Sequence, residues 1–426
     1  MISGISKLDE HAAKQSLHGP LLPGVSNLHS HAFQRQMAGL TESSRGKADH
    51  FWSWREAMYR VANRIDPDQF QAIAAWVQAE MLESGFTSCA EFHYLHHQPD
   101  GRPYDDRAEI INSLLAAADA TGMSLTLLPV LYCRSGFGTH SVSEQQRRFF
   151  HTPETFLDLL DECERKISGL PRHRLGWAPH SLRAVSTGQL AVVLGHGDNS
   201  KRPIHIHVAE QTAEVDECVS IHGARPVQYL LDQFPVDSHW CLVHATHLEE
   251  SELRAAAQSG AIAGLCPTTE ADLGDGFFDA RQWIASGGQF GIGSDSNLRV
   301  SASEELRMLE FGCRLRERRR NVLADEGKSC GRSLFERAVE GGATALAQPV
   351  GRIEAGFRAD LVELDSRHAL LADRGEDALL DSWIFAGGKD MVRSVWVAGN
   401  QLVADGRHHR KDELAVPFRR VMEELA

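Results

Sequence analysis

Residues 27–35 read NLHSHAFQR, a short run that carries an apolar stretch into two histidines one residue apart. Side chains alternate across a strand, so His29 and His31 would share a face and could share one ion. The chain holds 22 histidines in 426 residues, which yields about one such pair by accident, so the motif acquires meaning only from its surroundings.

Seven further runs have the same strand-like texture: FTSCAEF (86–92), LTLLPVLY (125–132), RLGWAPHS (174–181), PIHIHVAE (203–210), HWCLVHATH (239–247), AIAGLCPT (261–268) and QFGIGSDS (289–296). With GVSNLHS (24–30) they make eight. Stretches of helical periodicity lie between them, at 69–84, 107–122, 154–167 and 250–260, several closed by a glycine. Eight strand–helix units between about residues 24 and 345 predict an α/β fold, a (β/α)8 TIM-type barrel, because parallel barrel strands are buried on both faces and read as continuous apolar runs.

After residue 348 the texture changes to short strands with glycine turns, GRIEAGFRADLVELD (351–365) and VRSVWVAGNQLVADGRH (392–408). The expected division is a short N-terminal segment (1–22) that joins the small β domain, the barrel (23–347), and a small β-sandwich domain with a C-terminal tail (348–426). Two polar loops studded with aromatics and arginines, 41–60 and 134–151, follow the first and third strands. At the strand C-terminal ends of a barrel such loops are expected to be lids.

Composition narrows the function. A formal charge of −14 argues against a general nucleic-acid binder and makes an anionic substrate depend on arginines placed locally. No run approaches 18 apolar residues and the start lacks a signal-peptide pattern, so no membrane role and a cytoplasmic location are expected. Eight cysteines without a CxxC, with Cys89, Cys241 and Cys266 inside apolar runs, predict buried reduced thiols.

Placed on the barrel, His29 and His31 close strand one, His207 strand five, His244 strand six and Asp295 strand eight, so all meet at one mouth. Three histidines and a carboxylate suit a catalytic zinc or ferrous ion that keeps a position open for water. His205 shares a face with His207 and competes for the ligand role; the HxxE spacing of HVAE (207–210) favours His207.

HSH, HVAE, LVHATH (242–247), GSDS (293–296) and the trailing GRIEAGFRADLVELD together resemble the amidohydrolase superfamily, in its aminohydrolase branch, over nearly the whole chain. The resemblance implies metal ligands His29, His31, His207 and Asp295, and catalytic residues Glu210, His244 and Asp295. Strand four ends in GWAPHSLR without the lysine of binuclear members, which implies one divalent ion per subunit, zinc by the superfamily's habit and Fe2+ as the alternative. Glu210 occupies the place where deaminases keep their proton-shuttling carboxylate; its structural alternative is an ordinary acid in the first turn of a helix.

PGVSNLHSHAFQRQMAGLTE, FWSWREAMYR, EFHYLHH and APHSLRAV narrow the resemblance to a subgroup acting on a linear formimino amino acid with two carboxylates. It implies substrate contacts by Gln34, Arg55, Tyr94, His180 and Arg183, with arginine forks for the carboxylates, and a homodimer. The expected reaction is hydrolysis at a formimino carbon with release of ammonia. The alternatives are a deaminase of another small molecule, of the guanine or adenosyl type, or a non-catalytic metal-binding relative.

Overall fold

The computed structural model describes residues 1–2, 17, 19–42, 50–138, 141–375 and 377–425. Most of the expected N-terminal segment, and parts of both expected lid loops (43–49 and 139–140), lie outside the described residues.

In chain order the strands are β1 (Leu21–Pro23), β2 (Val25–Ser30), β3 (Phe86–His93), β4 (Ser124–Leu131), β5 (Arg174–Leu175), β6 (Ala178–Pro179), β7 (Ile204–Val208), β8 (Trp240–His244), β9 (Ile262–Leu265), β10 (Gln289–Ile292), β11 (Leu361–Leu364), β12 (Val392–Val397), β13 (Asn400–Ala404) and β14 (Arg407–His408). Strands β2 to β10 form one parallel sheet in the spatial order β5-β4-β3-β2-β10-β9-β8-β7, with β6 also on β4. The ring closes through bridges from Trp177 to Ile204 and from Ser181 to His207. All eight predicted runs are staves of this barrel, the fourth being split into β5 and β6. The split falls at Gly176, where a Cβ would lie 2.6 Å from the Pro203 carbonyl oxygen, so the chain there passes too close to its neighbour for a side chain.

Burial on both faces explains why the staves were readable: every residue of β2, β3, β4, β7, β8 and β9 is buried. The helices obey their end signals. Asp66 caps Pro67–Glu83 and Thr152 caps Pro153–Ile167, each with proline in the first turn. Gly122 and Gly260 close Glu109–Thr121 and Glu250–Ser259 in the left-handed conformation.

A second sheet, β1-β11-β12-β13-β14, is antiparallel, and among the described residues it is a single layer. Four of its strands come from the C-terminal segment, and β1 adds the fifth by pairing Leu21 with Glu363. The chain passes straight from β1 into β2, and the Gly24 amide donates to the Asp360 carbonyl (2.9 Å) at that junction. The last helix, Lys411–Leu425, returns to the barrel side, where Phe418 stacks on Trp76 with ring centroids 5.0 Å apart. No helix of the described residues is long and apolar enough to cross a membrane. All eight cysteines are free and buried, as expected.

Candidate active site

Strand register assembles the floor of the site. Ser30 bridges Asp295, the His31 amide donates to the Asp295 carbonyl, and the Asp295 amide donates to the His29 carbonyl, both at 2.9 Å. The ends of β2 and β10 are thereby locked side by side. The His29 Nε2 then lies 3.2 Å from the His31 Nε2 and 3.0 Å from the His207 Nε2, while Asp295 Oδ1 lies 3.4 Å from His29 and 3.2 Å from His31. These four buried groups have ligand atoms within 4.8 Å of one another and could hold a metal ion. His205 stays apart: one layer down, its Nε2 meets the Ala345 carbonyl at 2.9 Å.

The donor set fits a cation. His31 Nδ1 sits 2.8 Å from the Phe92 carbonyl and His207 Nδ1 3.1 Å from the His180 carbonyl. Protons assigned to those Nδ1 atoms leave both Nε2 atoms as lone pairs, aimed at a third imidazole whose own Nδ1 is buried without a partner. Three nitrogens and a carboxylate oxygen thus converge with at most one proton among them, which a metal ion satisfies and neutral neighbours do not. Burial pushes His29 down to about 3 and His207 well below its ordinary value, which favours the neutral imidazole that ligation requires. Asp295 is held well below the usual carboxylate range: burial opposes this, and the adjacent His29 and His31 imidazoles outweigh it.

On the pocket side, His244 is surrounded by carboxylates. Its Nε2 lies 3.8 Å from both Glu210 Oε1 and Asp295 Oδ2, and its Nδ1 lies 3.3 Å from Glu270 Oε1. Burial alone would lower its pKa, but the Glu210, Glu270 and Asp295 carboxylates raise it to about 10. Backbone strain concentrates here too. Ala209, His244 and Asp295, at the ends of three staves, have φ of 52°, 65° and 44°. Left-handed backbone in non-glycine residues persists where the surroundings over-determine it, and it gathers at functional sites.

Above the floor is a pocket whose empty space, open solvent at its mouth included, is about 640 Å³. All five sequence-predicted substrate residues, Gln34, Arg55, Tyr94, His180 and Arg183, line it together with His31, His207, Glu210, His244 and Asp295. Gln34 donates to the Tyr94 hydroxyl at 3.0 Å. The half-buried Arg55 guanidinium lies over the Trp52 ring at 4.2 Å, and the Arg183 guanidinium stands 5.9 Å from the same ring. Arg183 is itself buried, 3.4 Å from Glu210 Oε2 and 3.8 Å from Glu214 Oε2. Of the expected lids, the helix Phe51–Ala62 supplies Phe51, Trp54, Arg55, Met58 and Tyr59 to the wall, and the loop after β4 supplies Ser135 and Phe149.

Several residues around the site were not singled out from the sequence. Glu214 accepts both the Ala209 and Glu210 amides at 3.2 Å, fixing the strained turn that carries Glu210. Glu270 accepts the Cys266 amide at 2.8 Å while facing His244. Gln146 donates to the Tyr59 and Tyr132 hydroxyls, both at 2.9 Å, knitting the two lids together. Glu214 and Glu270 sit in first turns of helices, and their only sequence signal was that of any first-turn acid.

A parallel barrel with a histidine–aspartate cluster and a carboxylate-flanked histidine at its strand C-terminal mouth defines a hydrolase of the amidohydrolase class. Residues 21–402 match the amidohydrolase family, and the chain belongs to it. Formimidoylglutamate deiminase of Pseudomonas aeruginosa is 50% identical over 412 residues, covering 96% of this chain and 90% of that protein. A 5-methylthioadenosine/S-adenosylhomocysteine deaminase of Nitratidesulfovibrio vulgaris is 25% identical over 396 residues, 92% of this chain and 81% of its own. A crystal structure of an amidohydrolase from Brucella melitensis matches with a TM-score of 0.91 at 47% identity, over 96% of this chain and 92% of that one.

Proposed function

We propose that this chain is a formimidoylglutamate deiminase, hydrolysing the formimino group of N-formimino-L-glutamate to N-formyl-L-glutamate and ammonia. The observation that carries the reading is one pocket with the His29/His31/His207/Asp295 cluster and Glu210 at its floor and two arginines, Arg55 and Arg183, on its wall. The two substrate carboxylates call for such cationic forks. The 50% identity to the Pseudomonas aeruginosa deiminase supports the same substrate.

His29, His31, His207 and Asp295 would hold one divalent ion, zinc first and Fe2+ as the alternative. When bound, such an ion supplies Lewis acidity that brings the pKa of water toward ~7. Asp295 Oδ2, on the pocket side, accepts the proton of the attacking water. Glu210 relays the water protons, the first by way of Asp295 and the second as the new hydroxyl becomes the formyl carbonyl, to the departing nitrogen, which leaves as ammonia. His244, favoured in its protonated form by three carboxylates, donates to the heteroatom on the attacked carbon where charge develops. Arg183, Arg55, Tyr94, Gln34 and His180 hold the glutamyl part so that the formimino carbon lies over the floor.

This reading carries the division into barrel (23–347) and small β domain (1–22 with 348–426), a cytoplasmic location and a homodimer. Eight buried free thiols are in keeping with a reducing compartment, and the dimer follows the family resemblance. The test is ammonia release from N-formimino-L-glutamate, guanine and S-adenosylhomocysteine by the purified, metal-loaded protein. Turnover of the first alone is expected; faster turnover of either heterocycle would overturn the assignment.

A further inference from the structure

Besides the four-residue floor, the described residues contain one other group of convergent ligand atoms: His244, Cys266 and Asp295, all buried and within 4.8 Å of one another. Asp295 belongs to both groups, and its two oxygens divide between them. Oδ1 faces His29 and His31 at 3.4 and 3.2 Å, whereas Oδ2 faces His244 Nε2 at 3.8 Å. Cys266 follows β9, at the head of the helix Pro267–Leu273. Glu210 Oε1, 3.8 Å from His244 Nε2, adds a fourth donor from the pocket side.

We propose that His244, Cys266 and Asp295 Oδ2 form a second cation site, selective for soft divalent ions such as Cd2+ or excess Zn2+, and that filling it stops turnover. Nitrogen, sulfur and carboxylate oxygen in one buried group match the preferences of Zn2+ and Cd2+ and disfavour Mg2+, which demands oxygen and water. Glu210, Glu270 and Asp295 all face His244, so the added positive charge is compensated. On binding, a sulfur–metal and a nitrogen–metal bond form, and the Cys266 thiol proton and one imidazolium proton of His244 are both released to solvent. Inhibition follows because the site engages Asp295 Oδ2, which accepts the water proton, and His244, which donates to the developing charge. Cys266 itself lines no part of the pocket, so loss of its thiol is expected to leave hydrolysis intact.

The binding half of the inference stands on geometry alone, while the inhibitory half rests on the hydrolytic reading above. The experiment titrates protein carrying one equivalent of zinc with CdCl2, following bound metal, ultraviolet absorption and ammonia release. One further equivalent of cadmium should bind with zinc retained, a thiolate-to-cadmium charge-transfer band should grow in, and ammonia release should fall in step. Cys266→Ala and Cys266→Ser should keep the uninhibited rate, lose the band, and need roughly tenfold or more cadmium for the same inhibition. Mg2+ should do none of this. A band that survives in both variants, displacement of zinc without a band, or no band in wild type with a native circular-dichroism spectrum would each overturn the site. Should the protein prove inactive toward formiminoglutamate, the absorption titration still decides whether the ion binds.

Discussion

The Nδ1 of His244 lies 3.3 Å from Glu270 Oε1, on the side of the ring opposite the pocket. The carboxylate fixes which nitrogen faces the substrate and favours the protonated ring. Glu270→Gln keeps the shape and removes the charge. The expected outcome is a roughly 10- to 100-fold lower kcat, of the order seen when a partner that orients a site histidine is lost, with KM nearly unchanged. His244 is raised to about 10 partly by Glu270, so the alkaline limb of the kcat/KM profile should move to lower pH in the variant. An unmoved limb would show that Glu270 only packs the ring.

Arg183 is held between Glu210 and Glu214, which in the proposed mechanism would tie substrate binding to the proton-shuttling carboxylate. Arg183→Ala removes a buried charge-assisted contact of about 2–4 kcal/mol, so kcat/KM should fall roughly 30- to 1,000-fold with metal content intact. Glu214→Gln leaves the guanidinium in place but weakens its anchor, and the loss should be smaller and shared between kcat and KM. Steady-state kinetics with metal analysis checks both; an Arg183→Ala enzyme of wild-type efficiency would remove the carboxylate-clamp role.

Why the histidine–aspartate cluster was legible and its support was not has a physical explanation. His29, His31, His207 and Asp295 sit at ends of staves that are buried on both faces, so continuous apolar runs announced their positions. HVAE also separated His207 from His205, since only the residue nearer the strand end reaches the mouth. Glu270 and Glu214 act through the fold of distant segments, and an acid in a helix first turn reads the same whether it faces solvent or an imidazole. The fourth stave was read as one run, yet Gly176 breaks it where Pro203 crowds the backbone, a contact between residues 27 positions apart.

Removal of metal should expose the cost of crowding the His29 Nε2 against those of His31 and His207, at 3.2 and 3.0 Å. Treatment with a chelator should abolish ammonia release and lower the Tm. Re-added zinc should restore both, contributing about 4 kcal/mol when free metal is ~1,000 times Kd. His207→Ala should behave like the chelated protein even with zinc present. Calorimetry of the metal-free, reloaded and variant proteins provides the check, and identical Tm values with and without chelator would count against a resident ion.

Asp275 titrates against the others. Burial, reinforced by Glu210, pushes its carboxyl up to about 9, and its Oδ2 is buried without a partner while Oδ1 accepts from Gln211. The folded protein therefore favours the neutral acid, whereas the unfolded chain ionises near 4. Because the folded value is the higher one, the stability tied to this group is fully present below about pH 4 and is lost as pH rises toward about 9. Asp275→Asn keeps an acceptor for Gln211 and cannot ionise. The variant should be more stable than wild type by about 1 kcal/mol or more at pH 8–9, with the gain shrinking as pH falls toward 5. Urea unfolding across that range measures the difference, and a gain that grows as pH falls would mean that Asp275 is ionised in the folded protein, stabilised by the protonated His244.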